Sequence, residues 1–419
     1  MPDQLDQPSD VTVLGAGIIG VCCALHLQEK GLSVTIVDRL EPGEATSYGN
    51  AGVISPWSCV PQSMPGMWKN VPKWLLDPHG PVRANLSILP RLLPWSWSFF
   101  RNAQIDRLQA IADTMSYLVS DNPTAYRALL KGTGHEDLVR DSWNVSVFRG
   151  SGQPNLNDLA WKLRVDRGAP VEMVNRGELK EIEPDLSDEY HSGVIFKDQA
   201  RAYNPGKICK VLADKALNNG AQLVRGEVQS VRPLEAGGFD LMVDGQVVEA
   251  KKLVLCGGIW SDKLLRPLGI KLPLIAERGY HLEFQNPGVS LNNSLLDVTQ
   301  KFIVSSMESG IRSAGTAEFA PVDAPPNYKR ADILAPLTKR MLPGLNTSDA
   351  KRWMGTRPSF PDNLPVIDRM PGFEKLFGAF GHSHYGLGMA PGTGRLLAQI
   401  VTDTQPNTGI DGVGVARFL

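Results

Sequence analysis

The sequence of 419 residues is short of several features that would fix its class at once. No apolar run reaches the length of about 20 residues that a membrane-crossing helix needs. Charge is nearly balanced, 43 Lys and Arg against 44 Asp and Glu for a formal net charge of −1. That balance removes the electrostatic case for nucleic acid as a partner. Cysteine is scarce and odd in number. Cys22, Cys23, Cys59, Cys209 and Cys256 are scattered without metal-ligand spacing. Neither a metal site nor a disulfide framework is expected, and a reducing cytoplasm is the default compartment. The opening MPDQLDQPSD is polar and acidic and does not read as a signal peptide. The length suggests two or three domain-sized units with ample material for buried cores.

What is present begins with the stretch from Val11 to Asp38, which reads as strand, glycine turn, helix, strand and acid. Gly15, Gly17 and Gly20 form G-x-G-x-x-G directly after an apolar strand. In such a motif the first glycine makes the tight turn, the second lets backbone approach a pyrophosphate, and the third lets helix and sheet pack closely. The helix that opens at Ile18 and Ile19 offers free N–H groups and a positive dipole end to phosphates. Asp38 stands where a ribose hydroxyl would be bound, and an acid there suits FAD or NAD and not a 2′-phosphate. A dinucleotide-binding domain follows.

After Arg39 comes a loop of small and hydroxyl residues containing Thr46, Ser47, Asn50, Ala51 and Gly52, suited to lie against a cofactor. Residues 56–100 hold Pro56, Pro61, Pro65, Pro72, Pro78, Pro81, Pro90 and Pro94, together with Trp57, Trp68, Trp74, Trp95 and Trp97. Prolines this dense predict an irregular excursion with short helices. Two kinds of reading stand for it: a domain-packing patch, or a functional segment, either an active-site cover or a membrane-surface or partner contact through 57–100. Periodicity predicts long helices over 101–131, and alternation predicts strands at 143–148 and 193–196, with 156–190 helical and then turn-rich. Asn204 and Pro205 open a helix that Gly220 stops. A strand over 221–231 and a hairpin around Asp244-Gly245 come next. Cys256-Gly257-Gly258-Ile259-Trp260-Ser261 is a second strand–glycine–helix turn, and 272–320 alternates as an antiparallel sheet that includes Tyr280. Residues 329–343 read as a helix.

The C-terminal part holds Gly355 and Arg357 in WMGTRP, then a strand at 376–380. A glycine-rich loop with His382, His384, Tyr385, Gly386, Leu387, Gly388 and Met389 runs into a helix over 395–402. Loops at the carboxyl ends of parallel strands are where α/β proteins bind ligands.

Taken together, GAGIIG with Asp38, TSYGNAG, CGGIWS, GTRPSFPDNLPVI and GHSHYGLGMAPGTG resemble the FAD-dependent D-amino-acid oxidase superfamily over nearly the whole chain. The bacterial D-amino-acid dehydrogenase branch looks closest, with glycine oxidase a near relative. The resemblance implies an α/β protein whose discontinuous, Rossmann-like FAD domain comprises 8–60, 195–275 and 350–419. A mixed-sheet substrate domain would comprise 61–194 and 276–349. It further implies that Gly15, Gly17 and Gly20 hold the pyrophosphate and that Asp38 and Arg39 sit near the adenosine ribose. Thr46, Ser47 and Asn50 to Gly52 would run toward the flavin ring. Val228 would touch adenine, and Cys256, Gly257 and Trp260 would close that side. Gly355 and Gly386 to Met389 would border the flavin, where the helix dipole favours an anionic reduced ring. Arg357 would grip the substrate carboxylate through two parallel hydrogen bonds. No cysteine matches the position used for covalent attachment, so noncovalent FAD is expected. Where glycine oxidase carries arginine and asparagine this chain has His384 and Tyr385. The tyrosine expected near Lys301 and Phe302 is absent, so Tyr280 or Tyr385 is the candidate second carboxylate contact.

The implied reaction is hydride transfer from Cα of a D-amino acid to flavin N5, followed by hydrolysis of the imine to a 2-oxo acid and ammonia. His384 or His382 would tune the proton step by titrating near neutral pH. Oxygen, a quinone or an electron-transfer partner would reoxidise the flavin, in the cytoplasm or at the inner face of the membrane. Two other readings remain: oxidation of N-alkyl glycines or other secondary or cyclic amino acids, and a non-catalytic electron-transfer subunit.

Overall fold

The computed structural model describes residues 8–77, 80–150, 154–404 and 411–419; the polar start before residue 8 and Pro78 lie outside them. Strand β1 (Val11–Leu14) is buried at every position, and β2 (Val34–Asp38) lies parallel to it with Val11 beside Val34 and Leu14 beside Val37. Helix α1 (Ile18–Glu29) connects them. Buried on both faces, such strands are written as continuous apolar runs, which is why they were plain in the sequence.

The sheet extends to six strands in the order Gln222–Arg225, β2, β1, Leu253–Leu255, Leu376–Phe380 and Val366–Arg369. The first five are parallel and the last is antiparallel. Helix α1 and the closing helix Gly386–Val401 cover one face with a shared core. A three-stranded antiparallel sheet of Val228–Pro233, Phe239–Val243 and Gln246–Ala250 packs on the other, against Leu14, Val37, Leu253 and Leu255.

A second sheet has nine strands. Its order is Ala350–Ser359, Ile275–Phe284, Gly310–Phe319, Phe302–Met307, Ser294–Asp297, Asn144–Phe148, Ser192–Phe196 and Val171–Asn175, with Val82–Ala84 beside the third. The 275–284 strand is buried at all ten positions and is paired antiparallel on both sides.

Several expectations change. The helix foreseen over 395–402 begins at Gly386, nine residues earlier, and contains Pro391. The proline-rich excursion contains a continuous helix, Leu89–Arg101, with Pro90 in its first turn and Pro94 inside. Proline costs least in a helix's first turn, where an N–H has no acceptor. The strand expected over 221–231 breaks at Gly226 into two strands of different sheets. Val171–Asn175 is a strand where a helix and turns were expected. The 329–343 helix divides into Lys329–Asp332 and Leu334–Met341.

Candidate active site

A cavity of about 1030 Å³ runs from the first turn of α1 to the face of the larger sheet. At one end Gly15 adopts φ +117°, and a Cβ there would stand 2.5 Å from the Cys256 carbonyl oxygen. No other residue fits that turn. Gly17, Ile18 and Ile19 line the cavity, so the amide end of α1 faces it, and Ser47 Oγ accepts from the Ile18 amide at 3.0 Å. The Asp38 carboxylate is fixed by the amides of Ala16 at 2.6 Å and Leu40 at 2.9 Å. Arg39 lies over the Trp260 ring, 4.4 Å from its centroid, and donates to Glu227 at 3.4 Å. Val228, Cys256 and Gly257 complete this wall. A glycine turn, a helix amide end and a fixed acid fit the diphosphate and ribose of a dinucleotide.

The middle of the cavity is a braced loop. Thr46 Oγ1 donates to the Thr356 carbonyl at 2.8 Å, and Asn50 Oδ1 accepts from the Gly52 amide at 2.9 Å. Buried Arg312 donates to the Tyr48 and Asn50 carbonyls at 3.0 and 2.7 Å while pairing with Glu283 at 2.7 Å. Trp353 fills the space that Gly49 and Gly355 leave, since a Cβ on either would stand about 2 Å from its ring. Its other side stacks on His281 with centroids 4.8 Å apart and planes 13° from parallel. Ala51 and Gly355 also line this part.

Arg357 stands on the outer strand of the larger sheet, in register with Glu277. Arg357 Nη1 donates to Glu277 Oε1 at 2.8 Å, and Ser359 Oγ donates to the other carboxylate oxygen at 2.9 Å. Glu277 is buried, whereas the Arg357 side chain keeps 21% of its surface open. Two residues along, Gly279 leaves room for the guanidinium: a Cβ would lie 2.2 Å from Nη2. The donors not used by Glu277 remain for a ligand.

His384 and Tyr385 stand beside this arginine, with ring centroids 3.9 Å apart. Both sense the charge of Glu277, and His384 also that of Arg357. Among the described residues, His384 Nδ1 is buried without a hydrogen-bond partner. Burial lowers its pKa to about 4. Burial likewise lowers His382, whose Nε2 meets Thr393 Oγ1 at 2.9 Å, to about 3. The expectation that an imidazole titrates near neutrality here does not hold, because desolvation disfavours the cation. Burial raises the Tyr385 pKa, and its hydroxyl donates to the Val60 carbonyl at 2.7 Å.

Tyr280 is not brought to Arg357. Strand alternation turns it away from Glu277 and Gly279, and its hydroxyl donates to Glu318 and accepts from the Asn327 amide. Burial and that pairing raise its pKa to about 12. Gly20 packs against the Gly15 carbonyl, Gly52 packs against the Ala202 carbonyl and Met307, and Met389 is buried in the core. None of these three lines the cavity, whereas Gly386, Leu387 and Gly388 do.

The start of the closing helix is braced from outside. Pro391 has no N–H to give to the Leu387 carbonyl four residues back, and the buried Tyr126 hydroxyl supplies that hydrogen bond at 2.6 Å. Asn122 Nδ2 donates to the Gly388 carbonyl at 3.1 Å. Trp95, Phe99 and Phe100 of the 89–101 helix cover the cavity from another side.

The sequence reading missed Glu277, Gly279, Trp353 and Arg164 as cavity residues. The signal for the first two was an alternating E-x-G in an apolar strand, meaningful only once its register with Arg357 is known. Among the described residues no group of three or more His, Cys, Asp or Glu is placed to hold a metal ion, and no helix is long and apolar enough to cross a membrane.

Comparison with known proteins agrees with this arrangement. The family model described as DAO, FAD dependent oxidoreductase, matches residues 10–400. A D-amino-acid oxidase of Bradyrhizobium diazoefficiens is 35% identical over 416 residues, 98% of this chain and 99% of that protein. The crystal structure of glycine oxidase from Geobacillus kaustophilus superposes with a TM-score of 0.75 at 19% identity, over 98% of this chain and 99% of that one. That of iminodiacetate oxidase from Chelativorans sp. BNC1 gives 0.73 at 20% identity, over 96% and 98%.

Proposed function

The chain belongs to the DAO family of FAD-dependent oxidoreductases and acts on amino acids, and from this premise we propose that its substrate is a D-amino acid, oxidised at Cα to an imine that water converts to a 2-oxo acid and ammonia. The observation that supports this most directly is Arg357, held open by buried Glu277 over Gly279 within the cavity that the dinucleotide turn begins.

FAD, when bound, supplies the two-electron acceptor. The chain supplies binding and orientation. Arg357 takes the substrate carboxylate with its free donors. Neutral His384 offers Nδ1 to an N–H of the substrate amine. The amide end of the closing helix, at Gly386 to Gly388, presents partial positive charge to the cavity. Trp95 and Phe99 exclude water. Noncovalent attachment is the reading for FAD, because all five cysteines are buried and Cys256 sits by Gly15 and Gly20 at the diphosphate end.

We divide the chain into a cofactor part of 8–60, 195–275 and 350–419 and a substrate part of 61–194 and 276–349. The 350–359 strand, which pairs with 275–284, joins them. Oxygen, a quinone or an electron-transfer partner is the proposed acceptor. The proposed location is the cytoplasm, peripheral to the inner membrane. Support for the membrane contact is local: Leu86, Leu93 and Trp97 are 80%, 66% and 70% exposed near Arg91 and Arg101.

Anaerobic flavin bleaching across D-amino acids, glycine, sarcosine and prolines tests the reading, with bleaching by D-amino acids expected. Bleaching by sarcosine or a proline alone would replace it with secondary-amine oxidation, and no bleaching by any member would remove the catalytic reading. Arg357→Ala is expected to raise KM at least 100-fold with flavin content unchanged; an unchanged KM would overturn the carboxylate assignment.

A further inference from the structure

Arg357 fixes where a substrate carboxylate lies, and strand register fixes what stands beside it. The strands 350–359, 275–284 and 310–319 present aligned rows to the cavity. Arg357, Glu277 and Phe319 form one row. Gly355, Gly279 and Ala317 form the next, two residues along. Trp353 stands in the row after that, opposite His281. Each of these residues except His281 lines the cavity.

The middle row is covered unevenly. The Trp353 ring lies over Gly355 and the Arg357 guanidinium over Gly279, where a Cβ would stand 2.1 and 2.2 Å from them. Ala317 is one strand spacing further on, about 4.8 Å. It stays partly open to the cavity, as do Gly315 and Phe319 of the same strand, while Thr316 and Glu318 between them are buried. A Cβ on Gly315 would stand 2.5 Å from the Phe302 Cα, so that position carries no side chain. Val82, paired with Ala317 from the other side, ends the row. A trough floored by Ala317 thus opens directly beside the guanidinium.

Its wall is aromatic. The Trp95 ring meets Phe319 with centroids 5.7 Å apart and stacks on Phe99 at 5.1 Å, with planes 16° from parallel. The Trp95 indole N–H donates to the Ser359 carbonyl at 3.2 Å, two residues beyond Arg357. That bond ties the wall to the strand that carries the arginine. It also spends the indole donor, so Trp95, Phe99 and Phe319 present ring carbon to the trough. Ile88, Leu92 and Ile275 pack behind them. An apolar group placed here leaves water at a gain of about fourfold in affinity per methylene. A polar group gives up its hydration to rings that return no hydrogen bond.

On the D-amino-acid reading above, we propose that Ala317 is the residue that sets substrate size: the substrate side chain lies on Ala317, against Phe319 and Trp95, while its α-carboxylate is on Arg357. The class is amino acids with a long or aromatic apolar side chain. D-Alanine, with a methyl group alone, leaves most of the trough unfilled. An amide side chain of the same length as an apolar one loses its water there without replacement.

The test uses the FAD-loaded enzyme and two carboxylates that have no amine to oxidise. Acetate and 3-phenylpropanoate are titrated by calorimetry into the native protein and into Ala317→Leu, which fills the trough floor. 3-Phenylpropanoate is expected to bind at least 30-fold more tightly than acetate, and Ala317→Leu to cut that advantage at least tenfold. Equal binding in the native protein, or an undiminished advantage in the variant, would overturn the inference. Ala317→Val carries the comparison if Ala317→Leu fails to retain flavin. The turnover arm compares D-methionine with D-glutamine, which are close in size, and kcat/KM at least tenfold higher for D-methionine is expected. A ratio near one would overturn the inference and leave the D-amino-acid reading standing. A 3-phenylpropanoate preference that Ala317→Leu removes, in an enzyme that turns over no D-amino acid, would leave the trough standing and overturn the D-amino-acid reading instead.

Discussion

Arg357 enters the cavity as a cation already paired on one side. Glu277 lies 80 residues earlier in the chain and meets it only through strand register. The arginine itself was legible, because it sits in a distinctive run of residues. Its partner was not, because nothing local distinguishes a glutamate in an alternating strand from a solvated one. Gly279 was invisible for the same reason. The space above Gly279 is what the guanidinium occupies, so Gly279→Ala places a methyl group against Nη2. The expected outcome is a KM for substrate raised at least tenfold with FAD retained, measured by steady-state kinetics and flavin absorbance. An unchanged KM would show that the arginine can lie elsewhere and still bind. Tyr280 shows the opposite error. A tyrosine in the right strand looked available, but period-two alternation turned its hydroxyl to Glu318.

At the level of elements, the closing helix was the hardest to read. Gly386, Gly388, Gly392, Gly394 and Pro391 are loop residues by propensity, and tertiary packing overrides them. Small residues are needed there: a Cβ on Gly394 would meet the Cys22 carbonyl of α1 at 2.7 Å, and one on Gly392 the Leu118 carbonyl at 2.3 Å. Helix α1, by contrast, was legible to within two residues because its motif is local. The carbonyl that Pro391 leaves free depends on Tyr126. Tyr126→Phe removes that donor and leaves a buried acceptor unsatisfied, at a cost of about 1–3 kcal/mol. A lower midpoint of thermal unfolding and faster loss of FAD on dilution are expected. A midpoint unchanged by the substitution would mean that another donor takes the place of the hydroxyl.

For the molecule as a whole, two buried histidines and the half-buried His384, among the described residues, are held as neutral rings. Burial depresses His281 and His382 to about 3 and His384 to about 4, against an ordinary value of 6.5. The unfolded chain binds protons that the folded one refuses. Their contribution to stability is therefore complete above about pH 6.5 and is lost as pH falls, down to about 4 for His384 and about 3 for His281 and His382, at about 1.4 kcal/mol per histidine per pH unit. The unfolding temperature should fall between pH 6.5 and 5, and less steeply in His382→Gln. A flat profile over that range would contradict neutral burial. The parallel sheet and its cofactor turn were legible because strand, turn and helix follow one another within 28 residues. The larger sheet was not, because its order joins residues from 82 to 359.

The chain assembles its dinucleotide cradle from residues 15–51, 226–260 and 386–388, and lines the rest of the cavity from the larger sheet and the helix Leu89–Arg101, stretches outside that cradle. Descendants of one ancestral gene can therefore reshape that far lining while inheriting the same coenzyme turn, so divergence of taste should run ahead of divergence of chemistry along this lineage.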